Sequence, residues 1–165
     1  MTHADPASPL ATDLQGRFGG VTDGLDLRAR WDGDTLSGRI GGFTAGHDLR
    51  LWIGDGVLEG RVGGVTRGFD LRAGLSATDL ELHLGGFTDG VDTTLTYGDA
   101  GGQGRYGTFT AGHDLSFRHY AGEVRGRYGS FTAGVDFRLE LGEVPLPLAL
   151  IVTTAAFHLR QLGWV

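Results

Sequence analysis

A chain of 165 residues with 31 Gly, 4 Pro, no Cys and a formal net charge of −6 is long enough for one domain with a sizeable core. The lack of Cys excludes disulfides, thiolate metal sites and a cysteine nucleophile. The acidic balance argues against a general nucleic-acid binder, which carries a basic surplus.

The first nine residues, Met1 to Pro9, are short and polar, without a basic n-region or an apolar h-region. They read as a disordered N-terminal tail and not a secretory signal, which places the protein in the cytoplasm. Residues 10–165 read as a single domain.

Within that domain a 22-residue unit recurs six times, starting at Gly16, Gly38, Gly60, Leu82, Gly104 and Gly126. Three columns are identical in every copy. One is Thr22, Thr44, Thr66, Thr88, Thr110 and Thr132. The next is Gly24, Gly46, Gly68, Gly90, Gly112 and Gly134. The third is Asp26, Asp48, Asp70, Asp92, Asp114 and Asp136.

Each copy holds two runs of period 2, the signature of strands. In the second copy His47, Leu49, Leu51 and Ile53 share one face, and Asp48, Arg50 and Trp52 the other. The return run sets Leu58, Gly60 and Val62 against Glu59 and Arg61. One apolar and one polar face describes an antiparallel sheet with one wet side. Asp55-Gly56 suits a two-residue type I′ hairpin, whose central residues both need positive φ. Phe43-Thr44-Ala45-Gly46 suits a four-residue loop with a left-handed Gly at its end, capped by Thr and Asp.

The count is twelve strands, from about Leu14 to about Leu141. An open sheet of that size leaves two unpaired edges and a broad apolar face; closure removes both. After Pro145-Leu146-Pro147 the period changes, and a helix at about 147–161 is apolar nearly all round, which belongs in a core or a membrane. From Leu148 to Gln161 it spans roughly 20 Å, short of a ~30 Å hydrocarbon layer. A twelve-stranded barrel has a backbone radius of roughly 12 Å, too wide for wall side chains alone. Five inward glycines, Gly16, Gly38, Gly60, Gly104 and Gly126, leave room for a close neighbour, read as that helix. The expected fold is mainly β: a closed 12-stranded antiparallel up-and-down barrel around a C-terminal hydrophobic helix. The competing arrangement, a β-solenoid with one repeat per rung, is disfavoured by the Asp55-Gly56 turn and the helical tail.

With these features the chain resembles the tubby-like barrel, especially its LURP-one-related branch. In that branch repeats of the type G-K-x-x-S-x-G-D-x-L precede a late apolar segment. The matching stretches are GRIGGFTAGHDL, GRVGGVTRGFDL and GRYGSFTAGVDF, with PLALIVTTAAFHLRQLG at the end, over roughly residues 10–162. Arg stands where that family has Lys. The resemblance implies a closed barrel. It also implies kinship with phosphoinositide-binding tubby proteins, with phospholipid scramblases and with LURP-one relatives of no assigned activity. The basic phosphoinositide pocket of tubby has no counterpart here, so no functional residue is carried over.

The six repeat Asp would ring one barrel end. Oxygen rings can hold Ca²⁺, but turn capping and pairing with Arg outweigh a metal at that width. His47 and His113 each precede an Asp, as in a His-Asp dyad. The other copies hold Leu25, Phe69, Val91 and Val135 there, which favours packing at the barrel mouth. His83 reads as a solvated surface residue. The GRxGG runs lie inside strands with no helix after them, which removes a dinucleotide reading, and neither H-E-x-x-H nor G-x-S-x-G occurs. Outward Arg17, Arg39, Arg61, Arg105 and Arg127 form a stripe that could attract anionic headgroups. No catalytic constellation, cofactor or metal site is expected. The sequence therefore points to a non-catalytic barrel serving as a binding or scaffold module, with a membrane lipid or a protein as partner and no nucleic acid. The alternative is a phospholipid- or phosphoinositide-binding, scramblase-like protein held peripherally at a membrane.

Overall fold

The computed structural model describes residues 13–20, 22–42, 44–86 and 88–165, so the reading of residues 1–9 as a tail lies outside the described residues. Twelve strands and one helix follow in order: β1 Asp13–Phe18, β2 Leu25–Trp31, β3 Thr35–Ile40, β4 His47–Gly54, β5 Val57–Gly63 and β6 Gly68–Leu75. The second half is β7 Asp79–Leu84, β8 Val91–Gly98, β9 Gly101–Tyr106, β10 His113–Tyr120, β11 Glu123–Tyr128, β12 Val135–Glu140 and α1 Leu146–Gln161. Every strand pairs antiparallel with its chain neighbours, and β1 pairs with β12 through Gln15↔Glu140 to Phe18↔Phe137, which closes the barrel.

Burial alternates along the strands as the period-2 pattern requires. In β4, Leu49 and Leu51 are buried while Asp48, Arg50 and Trp52 face out. Helix α1 fills the lumen: all twelve residues from Leu148 to Leu159 are buried. Pro145 starts it in an extended conformation, and Pro147 costs nothing in a first turn whose N–H groups have no intrahelical acceptor. The hydroxyls of the helix are paired. The Tyr128 hydroxyl lies 2.9 Å from Thr153 Oγ1 and 2.7 Å from Thr154 Oγ1, and both threonines also donate to Leu150 O. The Phe157 ring stacks on Tyr128 at 4.7 Å and meets Tyr106 edge-on at 4.9 Å.

The inward glycines are present for a different neighbour than expected. A Cβ on Gly16, Gly38, Gly60, Gly104 or Gly126 would strike the carbonyl and the inward side chain of the adjoining strand, not the helix. Gly126 lies between Phe117 and Phe137, and Gly60 between Leu51 and Leu71. Where the fourth copy has Leu82 instead, its partners are the smaller Ala73 and Thr93. At that row small neighbours offset the larger residue, as dense packing demands. The Thr93 hydroxyl is buried with no partner among the described residues, a polar cost of that exchange.

The turns differ in part from the expectation. Asp55 (φ 52°) and Gly56 (φ 76°) form the expected two-residue turn, repeated at Ala121 (φ 52°) and Gly122 (φ 79°). At the opposite end the loop is six residues long, because Ile40 pairs with His47. Its left-handed residue is Gly41 (φ 101°) and not Gly46. Gly19, Gly41, Gly63, Gly85, Gly107 and Gly129 form a fourth identical column, with φ between 87° and 101° in all six copies. The Gly46 column is glycine for steric reasons: a Cβ there would collide with Gly42 O.

Gly46→Ala is therefore expected to lower unfolding free energy by about 1–3 kcal/mol. Gly42→Ala, with open space around its Cβ, should stay within about 0.5 kcal/mol. Urea unfolding of both variants checks the pair. Cutting the chain before Pro145 should abolish cooperative melting, because the barrel then has no filler; a folded, soluble product would contradict that role for α1.

Candidate functional site

One end of the barrel carries the six long loops and receives the C-terminus of α1. Each loop is built on the same ion pair. Near the end of the incoming strand stands an outward Arg17, Arg39, Arg61, Arg105 or Arg127, and its guanidinium bonds the repeat Asp of the next strand. The N–O distances are 2.7 Å for Arg17–Asp26, 2.6 Å for Arg39–Asp48, 2.8 Å for Arg61–Asp70, and 2.6 Å for both Arg105–Asp114 and Arg127–Asp136.

The same guanidinium holds the loop itself. Arg105 donates to Thr108 O at 3.1 Å and Phe109 O at 2.7 Å. Arg127 does likewise with Ser130 O and Phe131 O, at 3.0 and 2.8 Å. Arg17, Arg39 and Arg61 hold Gly20 O, Gly42 O and Gly64 O. A planar fork with five donors suits this shared task in a way that Lys would not. The Asp backbone ties neighbours together, since Gly41 N–H donates to Asp26 O and Gly129 N–H to Asp114 O. Surface ion pairs are worth little by themselves, about 0–1 kcal/mol each. Their effect here is geometric, fixing where each loop points.

His83 completes the belt and is no free surface residue. Its Nδ1 lies 2.6 Å from Asp92 Oδ1 and its Nε2 2.9 Å from Gly86 O, the two contacts that Arg makes elsewhere. The hydrogen bond to Asp92, helped by Gly86 O, raises its pKa. The repeat Asp thus serve Arg or His, and among the described residues no group of three or more His, Asp or Glu could hold a metal ion. The six repeat Thr are exposed on the loops.

No His-Asp dyad forms at the other candidates. Asp48 and Asp114 face out to Arg39 and Arg105, whereas His47 and His113 face in. His47 Nε2 lies 3.2 Å from Trp164 O and its ring stacks on Trp164, while His113 meets Phe157 edge-on at 5.2 Å. Trp164 also lies against Phe69 and under the Arg67 guanidinium, 5.1 Å from the ring centroid. It closes the mouth through which α1 ends. Just inside, His158 Nδ1 lies 2.6 Å from the Tyr106 hydroxyl, and burial lowers the histidine pKa to about 4. Burial raises that of Tyr106 to about 12, so both are neutral near pH 7.

Two features escaped the reading of the sequence. Arg28 and Arg50 stand on the outer wall directly opposite Arg39 and Arg61, and no ion pair holds either among the described residues. An apolar residue also occupies the loop column Val21, Phe43, Val65, Phe87, Phe109 and Phe131. The signal for the second was present, as an apolar column at a position where the repeat turns.

Searches against family models, curated proteins and solved structures found no match to the chain.

The two histidines give opposite pH dependences. The raised pKa of His83 contributes stability that is complete below its ordinary 6.5 and is lost as pH rises through the folded value. His158, depressed from 6.5 to about 4, costs stability as pH falls through that interval, up to about 3 kcal/mol. Melting profiles should therefore show His83→Ala losing most against the native chain at mildly acid pH, and His158→Gln flattening the acid limb.

Proposed function

We propose that the protein is a non-catalytic barrel that works as a binding or scaffold module through its exterior. The observation that carries this reading is the filled lumen. Barrels that hold small ligands do so in the interior. Here Leu148–Leu159 take that space, and the interior hydroxyls of Tyr106 and Tyr128 are engaged by the helix. The resemblance to tubby-like barrels supports the same reading, since it implies a barrel wound on an apolar helix. The outer wall is polar and the inner face apolar, the reverse of a barrel embedded in lipid. Among the described residues no helix is long and apolar enough to cross a membrane.

A second reading, a phospholipid- or phosphoinositide-binding, scramblase-like protein, has one observation in its favour. Arg28 and Arg50 leave positive charge unneutralised on the wall, next to the paired Arg39 and Arg61. That charge would attract anionic headgroups in a salt-sensitive way.

Titration with a fluorescent fatty acid tests the main reading. A module with a filled lumen should show no saturable one-to-one uptake and no rise in melting temperature. Saturable uptake would make the barrel a vessel and refute the proposal.

A further inference from the structure

The column of apolar loop residues has a placement that packing does not explain. Val65, Phe109 and Phe131 are 96, 90 and 93 % exposed, although side chains of this kind are normally withdrawn from water. They sit on three of the six loops at one end of the barrel, and the other three loops carry Val21, Phe43 and Phe87 in the same column. At the opposite end the tip positions hold Gly33, Asp55, Ala77, Asp99 and Ala121, none of them a large apolar residue, although Tyr120 beside one of those turns is 85 % exposed; the repeated apolar tip column belongs to the long-loop end.

We propose that this end is a membrane-docking rim, which seats its apolar tips in the interfacial layer of a bilayer with zwitterionic headgroups. The proposal rests on the binding-module reading and names its partner. Three features favour a bilayer over a protein. First, repetition around a barrel of uniform register brings the loops that carry Val65, Phe109 and Phe131 to the same end and level, as a flat surface requires. Second, successive loops stand roughly 12 Å apart around the rim, from ~4.8 Å strand spacing and ~40° tilt. Thr, Gly and charged residues lie between the tips, so they form separate spikes and no continuous apolar patch. A fluid interface accepts separate spikes, whereas a protein partner would need a matching pocket for each.

Third, the charge beneath the tips matches in kind. The belt alternates cation and anion, Arg105 with Asp114 and Arg127 with Asp136, within one residue of the loops. It would meet phosphate and choline groups in turn and gain little from a net anionic surface, which the chain's −6 charge would disfavour. The tips are also held in place before binding, because Arg105 and Arg127 clamp the carbonyls of Phe109 and Phe131 themselves. Little ordering is then left to be lost on docking. Trp164 closes the mouth at this same end, the residue type most at home at headgroup depth.

The test uses the full chain and phosphatidylcholine vesicles in flotation, at about 0.1 M and about 1 M salt. Binding should be nearly unchanged by salt. The double variant Phe109→Ser/Phe131→Ser should lower the partition coefficient roughly a hundredfold, about tenfold per side chain, with an unchanged melt. The native chain has no Cys, so an environment-sensitive dye can be placed by Phe109→Cys or, at the far end, by Asp99→Cys. Vesicles should shift the first to the blue and leave the second alone. Absence of flotation would overturn the rim proposal and leave the module reading standing, since that is judged by fatty-acid uptake. Binding that needs anionic lipid, vanishes at high salt and ignores both Phe changes would overturn it in favour of Arg28 and Arg50. Lipid-free self-association abolished by the double variant would overturn it too, making the rim a contact between copies.

Discussion

The structure depends on one geometric constraint: a twelve-stranded antiparallel barrel is too wide to fill with its own wall. At a backbone radius of roughly 12 Å the inward side chains cannot meet across the axis. Close packing in the interior therefore requires another body, and α1 is that body. It is apolar on all sides because it has no solvent side, and its few polar atoms are satisfied by one another or by tyrosines of the wall. The wall is in turn thin where strands crowd each other. Glycine faces Leu or Phe of the adjoining strand, and in the one row where Leu82 replaces glycine its neighbours shrink.

A filled interior moves every other possibility to the surface, and the surface is organised by the repeat. One guanidinium serves two purposes in each copy, joining two strands through the repeat Asp and holding the loop between them. That His83 occupies the same place, with the same two acceptors, indicates that the geometry and not the particular side chain is what the fold requires. The arginines read from the sequence as a stripe for anions are thus already engaged. Among the described residues the arginines without an ion pair include Arg28, Arg50 and Arg118, which the pairing of strands places opposite other arginines.

The repeat explains how much of this was legible in advance. Strand number, face parity, the Asp55-Gly56 turn and the position of α1 follow from local periodicity. Two residues per pleat and 3.6 per helical turn are properties of the chain itself. The loop geometry was read less well. The identical Gly46 column suggested a left-handed residue, yet the positive φ falls at Gly41, and Gly46 is needed because Gly42 O lies against it. Composition cannot distinguish those two uses of glycine, since both only require that a Cβ be absent.

The sequence by itself determined that there are twelve strands with an apolar face, six equivalent loops, and a terminal segment with no polar side to show to water. Tertiary structure alone decided who stands beside whom. Closure brought Gly16 against Leu139, the end of the chain brought Trp164 to His47, and cross-strand register gave each repeat Asp its Arg or, at Asp92, His83. Periodicity is written along the chain, residue by residue. Partnership depends on the distance between segments far apart in it, which only the folded wall and its filling helix set.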